Sequence, residues 1–348
     1  MVFFPLFLAG SNNKVKKNTK IILSVFVLGN FIGALYCIAN ALNNSLIMEN
    51  GRYIFHYYID TYEPNFSFFG NINIRYSHFS YGYLSILMHP SYFSMYLIFS
   101  IVIIIDFFRN GLIQKKWFRI LSINLVFFFL FMIYLLQSRA GLIMLIVVIL
   151  IVLIIEIRSK LKKIYFIITI SITILFSWAI LSTSLIKNNF IEIEGIIANP
   201  NEFSLVESEA RMQTWYTGIN VIKENFWIGT SPANLTECLV LKYKELGFQE
   251  AANTRLNSHN QYLETFAGLG IFGFISLLSI LIYGFVIAIK KHNYLLFFLL
   301  LILSFNFLFE SMMNRMSGIL FMMFFISLLV FANSTSFNRL DIKKLPEV

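Results

Sequence analysis

Arg139, Arg211 and His259 are the residues whose types and positions allow chemistry: two guanidinium groups able to hold an anion, and one imidazole able to exchange a proton near neutral pH. Arg139 stands at the apex of a tight turn between two long apolar runs, where a lone guanidinium near hydrocarbon costs a few kcal/mol unless paired or hydrated. A snorkelling arginine at a helix end is the plainer reading. Arg211 lies one turn before Trp215, and its plainer reading is a solvated charge on an amphipathic helix. His259 follows Asn257 and Ser258, either of which can cap a hydrophobic helix that starts there. Such a helix end attracts anions and disfavours imidazolium, leaving a neutral base able to take a proton from a hydroxyl. An interfacial histidine bonded to a neighbouring loop is the alternative. Arg75 and Arg315, with Arg52 and Arg255, are reserve candidates for anion contacts. His89 precedes Pro90, which can be read simply as a helix-start signal.

The elements that must position these residues are membrane spans. Of 348 residues 58% are hydrophobic and 13% charged, with 39 phenylalanines, which points to an all-α polytopic membrane protein. The net charge of +9 does not indicate nucleic acid, because the basic residues fall in short clusters between apolar runs. Cys37 and Cys238 are badly placed to pair, and no Cys, His and carboxylate cluster has metal-ligand spacing, so neither a disulfide nor a metal is expected.

Met1–Ala9 reads as an interfacial stub or the end of a span that begins earlier, and residues 1–20 include a basic cytoplasmic segment. Spans are expected at about Ile21–Leu42, Pro90–Phe108, Phe118–Gln137, Ala140–Ile157 and Ile164–Leu185. Three more run from about His259 to Ile289, then to Phe309, and from Ser317 to Ala332, before a tail at 333–348. Placing every basic cluster in the cytoplasm gives an alternating eight-span path with both termini inside. It puts 43–89, Ser138–Arg139, 186–258 and Glu310–Met316 on the outer face. The loop 186–258 holds nine acids and six bases, so any arginine used there acts locally. Within it, Ser204–Glu207 has capping-box form, and Met212, Trp215, Ile219, Ile222 and Phe226 recur at helical spacing until Gly229. A surface helix follows from this pattern, and a second short one over about Leu235–Leu246 ends at Gly247. Gly268, Gly270 and Gly273 suit close helix packing.

Three motifs, in their order and sidedness, carry a resemblance over about Pro90 to Met316. They are Ser138-Arg139-Ala140-Gly141, Arg211-Met-Gln-Thr-Trp215 leading to Asn225-Phe-Trp-Ile-Gly229, and His259-Asn260 followed by Gly270-Ile-Phe-Gly273. Together they resemble the O-antigen ligase/polymerase family, the bacterial Wzy-like and WaaL-like membrane glycosyltransferases. Two features depart from its pattern: Gly229-Thr-Ser-Pro-Ala replaces a glycine-rich continuation, and Phe274 stands where ligases often have threonine. Members also usually carry more than eight spans, which implies further chain on the N-terminal side.

The resemblance implies a GT-C-like, metal-independent and cofactor-free glycosyltransferase in the bacterial inner membrane, working at the periplasmic face. Its donor is a glycan on undecaprenyl pyrophosphate, its acceptor a sugar hydroxyl, and a flippase and a chain-length regulator are associated partners. It further implies that Arg139 and Arg211 grip the pyrophosphate and that His259 orients or deprotonates the acceptor hydroxyl. Asn260 and Trp215 join the secondary candidates because they lie in the matching motifs. Polymerisation of repeat units is the leading activity, ligation of finished glycan to lipid A-core or protein the nearest rival. A solute transporter with Arg139 on its path is the alternative from another class. Arg139→Lys is expected to lose most transfer at unchanged expression, measured as surface glycan per unit of folded protein, because an ammonium cannot reproduce a planar two-point grip.

Overall fold

The computed structural model describes residues 12–49, 51–56, 77–158 and 207–331, together with Gly10. The chain divides into two compact units, Ile21–Phe203 and Ser204–Val348 with Met1–Lys20. The expected fifth span, the capping-box residue Ser204, the tail at 333–348 and Arg75 lie outside the described residues.

Helix α1 (Asn12–Ser45), which belongs to the first unit from Ile21 onward, leads into a hairpin of β1 (Leu46–Glu49) and β2 (Arg52–Phe55), paired antiparallel with Glu49 opposite Arg52. A short α2 (Tyr81–Leu84) precedes α3 (Pro90–Arg109), α4 (Lys116–Leu136) and α5 (Arg139–Arg158). Pro90 occupies the first helical position of α3, where its missing N–H costs nothing, and His89 caps that end by accepting from Ser91 N at Nδ1. The rings of Tyr81 and Tyr92 stand edge-on to His89. His89 is thus occupied in starting a helix.

The centre of this unit is α3. Its apolar window is 78% buried, against 28% for α1 and 33% for α4, so α3 is wrapped by protein while the others present apolar flanks outward. Phe26 of α1 packs on Tyr96 and Phe99, and Asn30 Nδ2 donates to Ser100 Oγ at 3.0 Å, a polar pin between two apolar helices. The turn before α5 explains the Ser-Arg-Ala-Gly motif. Gln137 takes a left-handed conformation (φ 47°) that ends α4, and Ser138 Oγ accepts from Gly141 N at 3.2 Å to cap α5. Ser138 Oγ also donates to Ser91 Oγ, and a Cβ on Gly141 would stand 2.5 Å from Ser94 Cβ. Glycine is therefore required for α5 to lie against α3 at this level.

The second unit contains α6 (Glu207–Glu224), α7 (Leu235–Glu245), α8 (Gln249–Asn253), α9 (Gln261–Lys290), α10 (Tyr294–Asn306), a 3-10 turn (Met312–Asn314) and α11 (Met316–Phe331). Four helices among the described residues are long and apolar enough to cross a membrane: α1, α3, α4 and α9. The chain is accordingly mostly helical and polytopic in character. Helices α10 and α11 have 13 and 16 residues, roughly 20–24 Å at 1.5 Å per residue. Asn293 Nδ2, donating to Leu329 O, joins the start of α10 to the end of α11, and Gly284 lets α9 approach Leu300 of α10.

Gly141→Ala is expected to lower stability by about 1–3 kcal/mol through overpacking. Gly29→Ala, at a helical position with nothing within 4 Å of the added Cβ, is expected to be neutral or slightly stabilising. Thermal unfolding of both variants in detergent checks the contrast.

Candidate active site

Helices α6, α7 and α8 close with the first turns of α9 around a core of Val221, Ile222, Leu235, Leu239, Tyr243, Ala251, Ala252 and Ala267. The boundaries are local chemistry. Gly247 (φ 79°) ends α7 in a Schellman motif, with Phe248 N bonded to Tyr243 O and Gly247 N to Lys244 O. The buried face of α6 is Thr214, Thr217, Gly218, Val221 and Ile222. The apolar stripe expected from sequence is therefore divided: Ile222 enters the core, while Met212, Ile219 and Phe226 are exposed.

Helix α9 is two helices. At Gly270 the backbone turns to φ 65°, ψ −166°, and the segment after α6 enters the break. Ile271 N, released from its helical acceptor, donates to Phe226 O at 2.9 Å, and Thr230 N donates to Ala267 O at 2.9 Å. A Cβ on Gly270 would stand 2.3 Å from Trp227 O, and one on Gly229 would stand 2.5 Å from Gly270 N. The two glycine motifs read separately in the sequence are thus one joint. Beyond it, Ile271–Lys290 is about 30 Å long, matching the hydrocarbon thickness. Before it, Gln261–Leu269 belongs to the polar module.

The N-cap of α9 is Asn260, whose side chain accepts from Tyr262 N and Leu263 N; it is neither Asn257 nor Ser258. His259 precedes the cap rather than lying in the first turn. Its φ of 44° is uncommon for a side chain with a Cβ, and Asn257 Oδ1 supports it by accepting from His259 N at 3.0 Å.

Two buried carboxylates, Glu264 and Glu310, organise the surroundings. Glu264 accepts from Ser258 N at 2.9 Å, Asn314 Nδ2 at 2.7 Å and Ser311 Oγ at 3.5 Å. It joins the loop before α9 to the connection after α10. Burial first, and then the Glu264 charge, push the Tyr243 phenol above its ordinary pKa. Gln261 strengthens the same junction, its N–H donating to Phe307 O and its Oε1 accepting from Met313 N. Glu310 lies 3.9 Å from Arg211 Nη2 and 4.0 Å from His259 Nδ1. Its side chain is 9% exposed, while those of Arg211 and His259 are 24% and 32% exposed, so the carboxylate lies beneath the two groups that reach solvent.

Arg211, His259 and Asn260 are therefore brought together in one unit. Trp215 is on the same helix as Arg211, with its indole N–H buried and without a partner among the described residues. Arg315 is exposed, its carbonyl accepting from Ile319 N in the first turn of α11. Arg139 and His89 belong to the other unit. No group of three or more His, Cys, Asp or Glu side chains able to hold a metal occurs among the described residues.

Residues 124–278 match the family model described as Wzy_C: O-Antigen ligase. Over these residues the chain is similar to the O-antigen ligase/polymerase family. No curated protein matches the chain. The family domain runs from within α4 to within α9, taking in Arg139, Arg211, His259, Asn260, Glu264 and Gly270. The match supports a function of O-antigen ligase/polymerase type, in a family whose substrates are glycans and lipid-linked molecules in general. Glu310 lies beyond the match. Sequence reading missed both carboxylates because Glu264 sits inside an apparent span and Glu310 in a short connection; their only signal was a charge bordering or entering an apolar run.

Glu264→Ala is expected to destabilise the fold by about 3 kcal/mol or more, because hydrogen bonds to a charged group contribute about 1.5–3 kcal/mol each and buried donors would be left unmade. Thermal unfolding checks this, with exposed Glu245→Ala as the comparison.

Proposed function

We propose that the chain polymerises undecaprenyl-pyrophosphate-linked repeat units of a surface polysaccharide at the periplasmic face of the bacterial inner membrane. The observation that supports this most directly is the convergence of Arg211 and His259, from opposite ends of the outer module, on one buried carboxylate. In this reading the chain follows an eight-span, N-in and C-in path of GT-C-like character, with the loop 186–258 outside.

The acceptor hydroxyl oxygen attacks the anomeric carbon of the donor's reducing-end sugar. His259 Nε2 takes the hydroxyl proton as the new C–O bond forms. The old C–O bond to pyrophosphate breaks, and its electron pair leaves on the phosphate oxygen. Arg211 stabilises that charge through paired N–H donors, and Arg139 is the second proposed phosphate contact. Polyprenyl pyrophosphate departs, and His259 releases its proton to water. With guanidinium groups stabilising a leaving group that is already anionic, neither a metal nor a protonating carboxylic acid is needed. The description of the matched family favours a second reading, ligation of finished glycan to lipid A-core or protein, with the same residues and another acceptor. A flippase supplying donors and a chain-length regulator are the expected partners.

Deletion of the gene, complemented by wild type or His259→Ala, separates these readings in a size-resolved glycan profile. Polymerisation predicts single repeat units extended to a ladder by wild type alone. Polymer stranded on its lipid carrier would mean ligation, and an unchanged profile would favour a transporter. A normal profile from well-expressed His259→Ala would contradict the role of His259.

A further inference from the structure

The turn that fills the break in α9 carries apolar side chains outward. Trp227 and Ile228 are 67% and 81% exposed, and Phe226 beside them is exposed as well. The backbone beneath them is fixed: Gly229 N donates to Asn225 O, Ile271 N to Phe226 O and Thr230 N to Ala267 O, each at 2.9 Å. These side chains are therefore presented by a rigid turn. The rings of Trp227, Phe226, Phe266 and Phe274 follow one another at centroid separations of 5.3, 5.3 and 4.9 Å. This aromatic group starts at the exposed turn and crosses the break, since Phe266 precedes Gly270 and Phe274 follows it. Below the break, the apolar window of α9 is only 22% buried, with Phe272, Ile275 and Ile282 exposed, as suits a surface that faces lipid. Trp227 and Ile228 thus stand at the level where a lipid-facing segment of about 30 Å begins. The charges beside them suit a phospholipid surface: Lys223 is exposed in the last turn of α6, and Glu224 is paired with Lys242.

We propose that Phe226–Ile228 is a membrane anchor, seated among the headgroup ends of phospholipid acyl chains where the α9 span begins. An indole suits that boundary because its ring is apolar and its N–H can still reach water or a headgroup. Ile228 adds an aliphatic side chain that gains by leaving water. The occupant is lipid because the patch continues the lipid-facing surface of α9 and lies at its end. The joint at Gly229 and Gly270 makes anchor and span one body, so the anchor fixes the height of the polar module. The segment Gln261–Leu269 then rises at most about 14 Å above it at 1.5 Å per residue, which keeps the Asn260 cap and the site beside it close to the headgroup layer. The inference rests on α9 crossing the bilayer and is independent of which glycan reaction the site performs.

The test uses the full-length chain reconstituted into vesicles of phosphatidylcholine and phosphatidylglycerol. The fluorescence of Trp227 is taken as the difference between wild type and Trp227→Phe. That signal is expected to be shifted to the blue of a water-exposed indole and to resist iodide present on both faces of the vesicles. Phospholipid brominated near the headgroup end of its acyl chains is expected to quench it more than phospholipid brominated near the methyl end. Ile228→Trp, read as its difference from wild type, supplies a second reporter in the same turn should Trp227→Phe fold poorly, with the same result expected. Quenching by iodide without quenching by brominated lipid would overturn the proposal by placing the turn in water. Protection from both quenchers would overturn it by showing that protein covers the turn, whether another segment of the chain or a second copy. Stronger quenching from the methyl end would contradict the boundary position. No transfer assay enters these readings, so failure of the proposed glycosyltransferase activity would leave them unchanged.

Discussion

A carboxylate removed from water must be supplied with donors, and the second unit depends on how Glu264 obtains them. Its three partners come from the loop before α9 and the connection after α10. The first segment is irregular, and the second holds only the short 3-10 turn Met312–Asn314, with Phe307 and Met312 buried beside it. The charge ties the two together, because leaving it unpaired costs more than ordering the loops. Once Ser258 N and Ser311 Oγ are drawn to Glu264, their neighbours His259 and Glu310 come within 4.0 Å of each other. Glu264 thereby sets the position of Glu310.

The second constraint is the break at Gly270. A straight helix of 30 residues would be about 45 Å long and would overshoot the hydrocarbon. Breaking it leaves one segment that fits a span and another that serves as a wall of the polar module. The broken backbone exposes a donor and an acceptor that lipid cannot satisfy. The chain between Phe226 and Thr230 satisfies both and in doing so fixes the end of α6, the helix that carries Arg211.

The sequence made legible the elements whose physics is local. Pro90 starts α3 and Gly247 ends α7 where the residue types require. The tight turn at Ser138–Arg139 follows from two apolar runs with no room between them. Arg211 and His259 stood out by type and by motif, and they prove to be neighbours through Glu310. The tertiary pairings were not legible. Hydropathy read α9 as one span because nothing in a window average marks Gly270 as a break filled by another strand of backbone. Glu264 was passed over because its donors are as many as 50 residues away, and Asn257 and Ser258 were equally good caps until Asn260 was seen to occupy that role. Exposure of Met212 and Ile219 shows the same limit, since helical spacing identifies a stripe without saying which part of it a neighbour covers.

The central claim, that this polar cluster transfers a glycan from polyprenyl pyrophosphate to a hydroxyl, is tested most directly with purified chain and a radiolabelled lipid-linked repeat unit. The account predicts one free polyprenyl pyrophosphate for each new glycosidic bond, formed by wild type and not by His259→Ala. Release of lipid pyrophosphate without bond formation, or bond formation that survives the loss of His259, would contradict it.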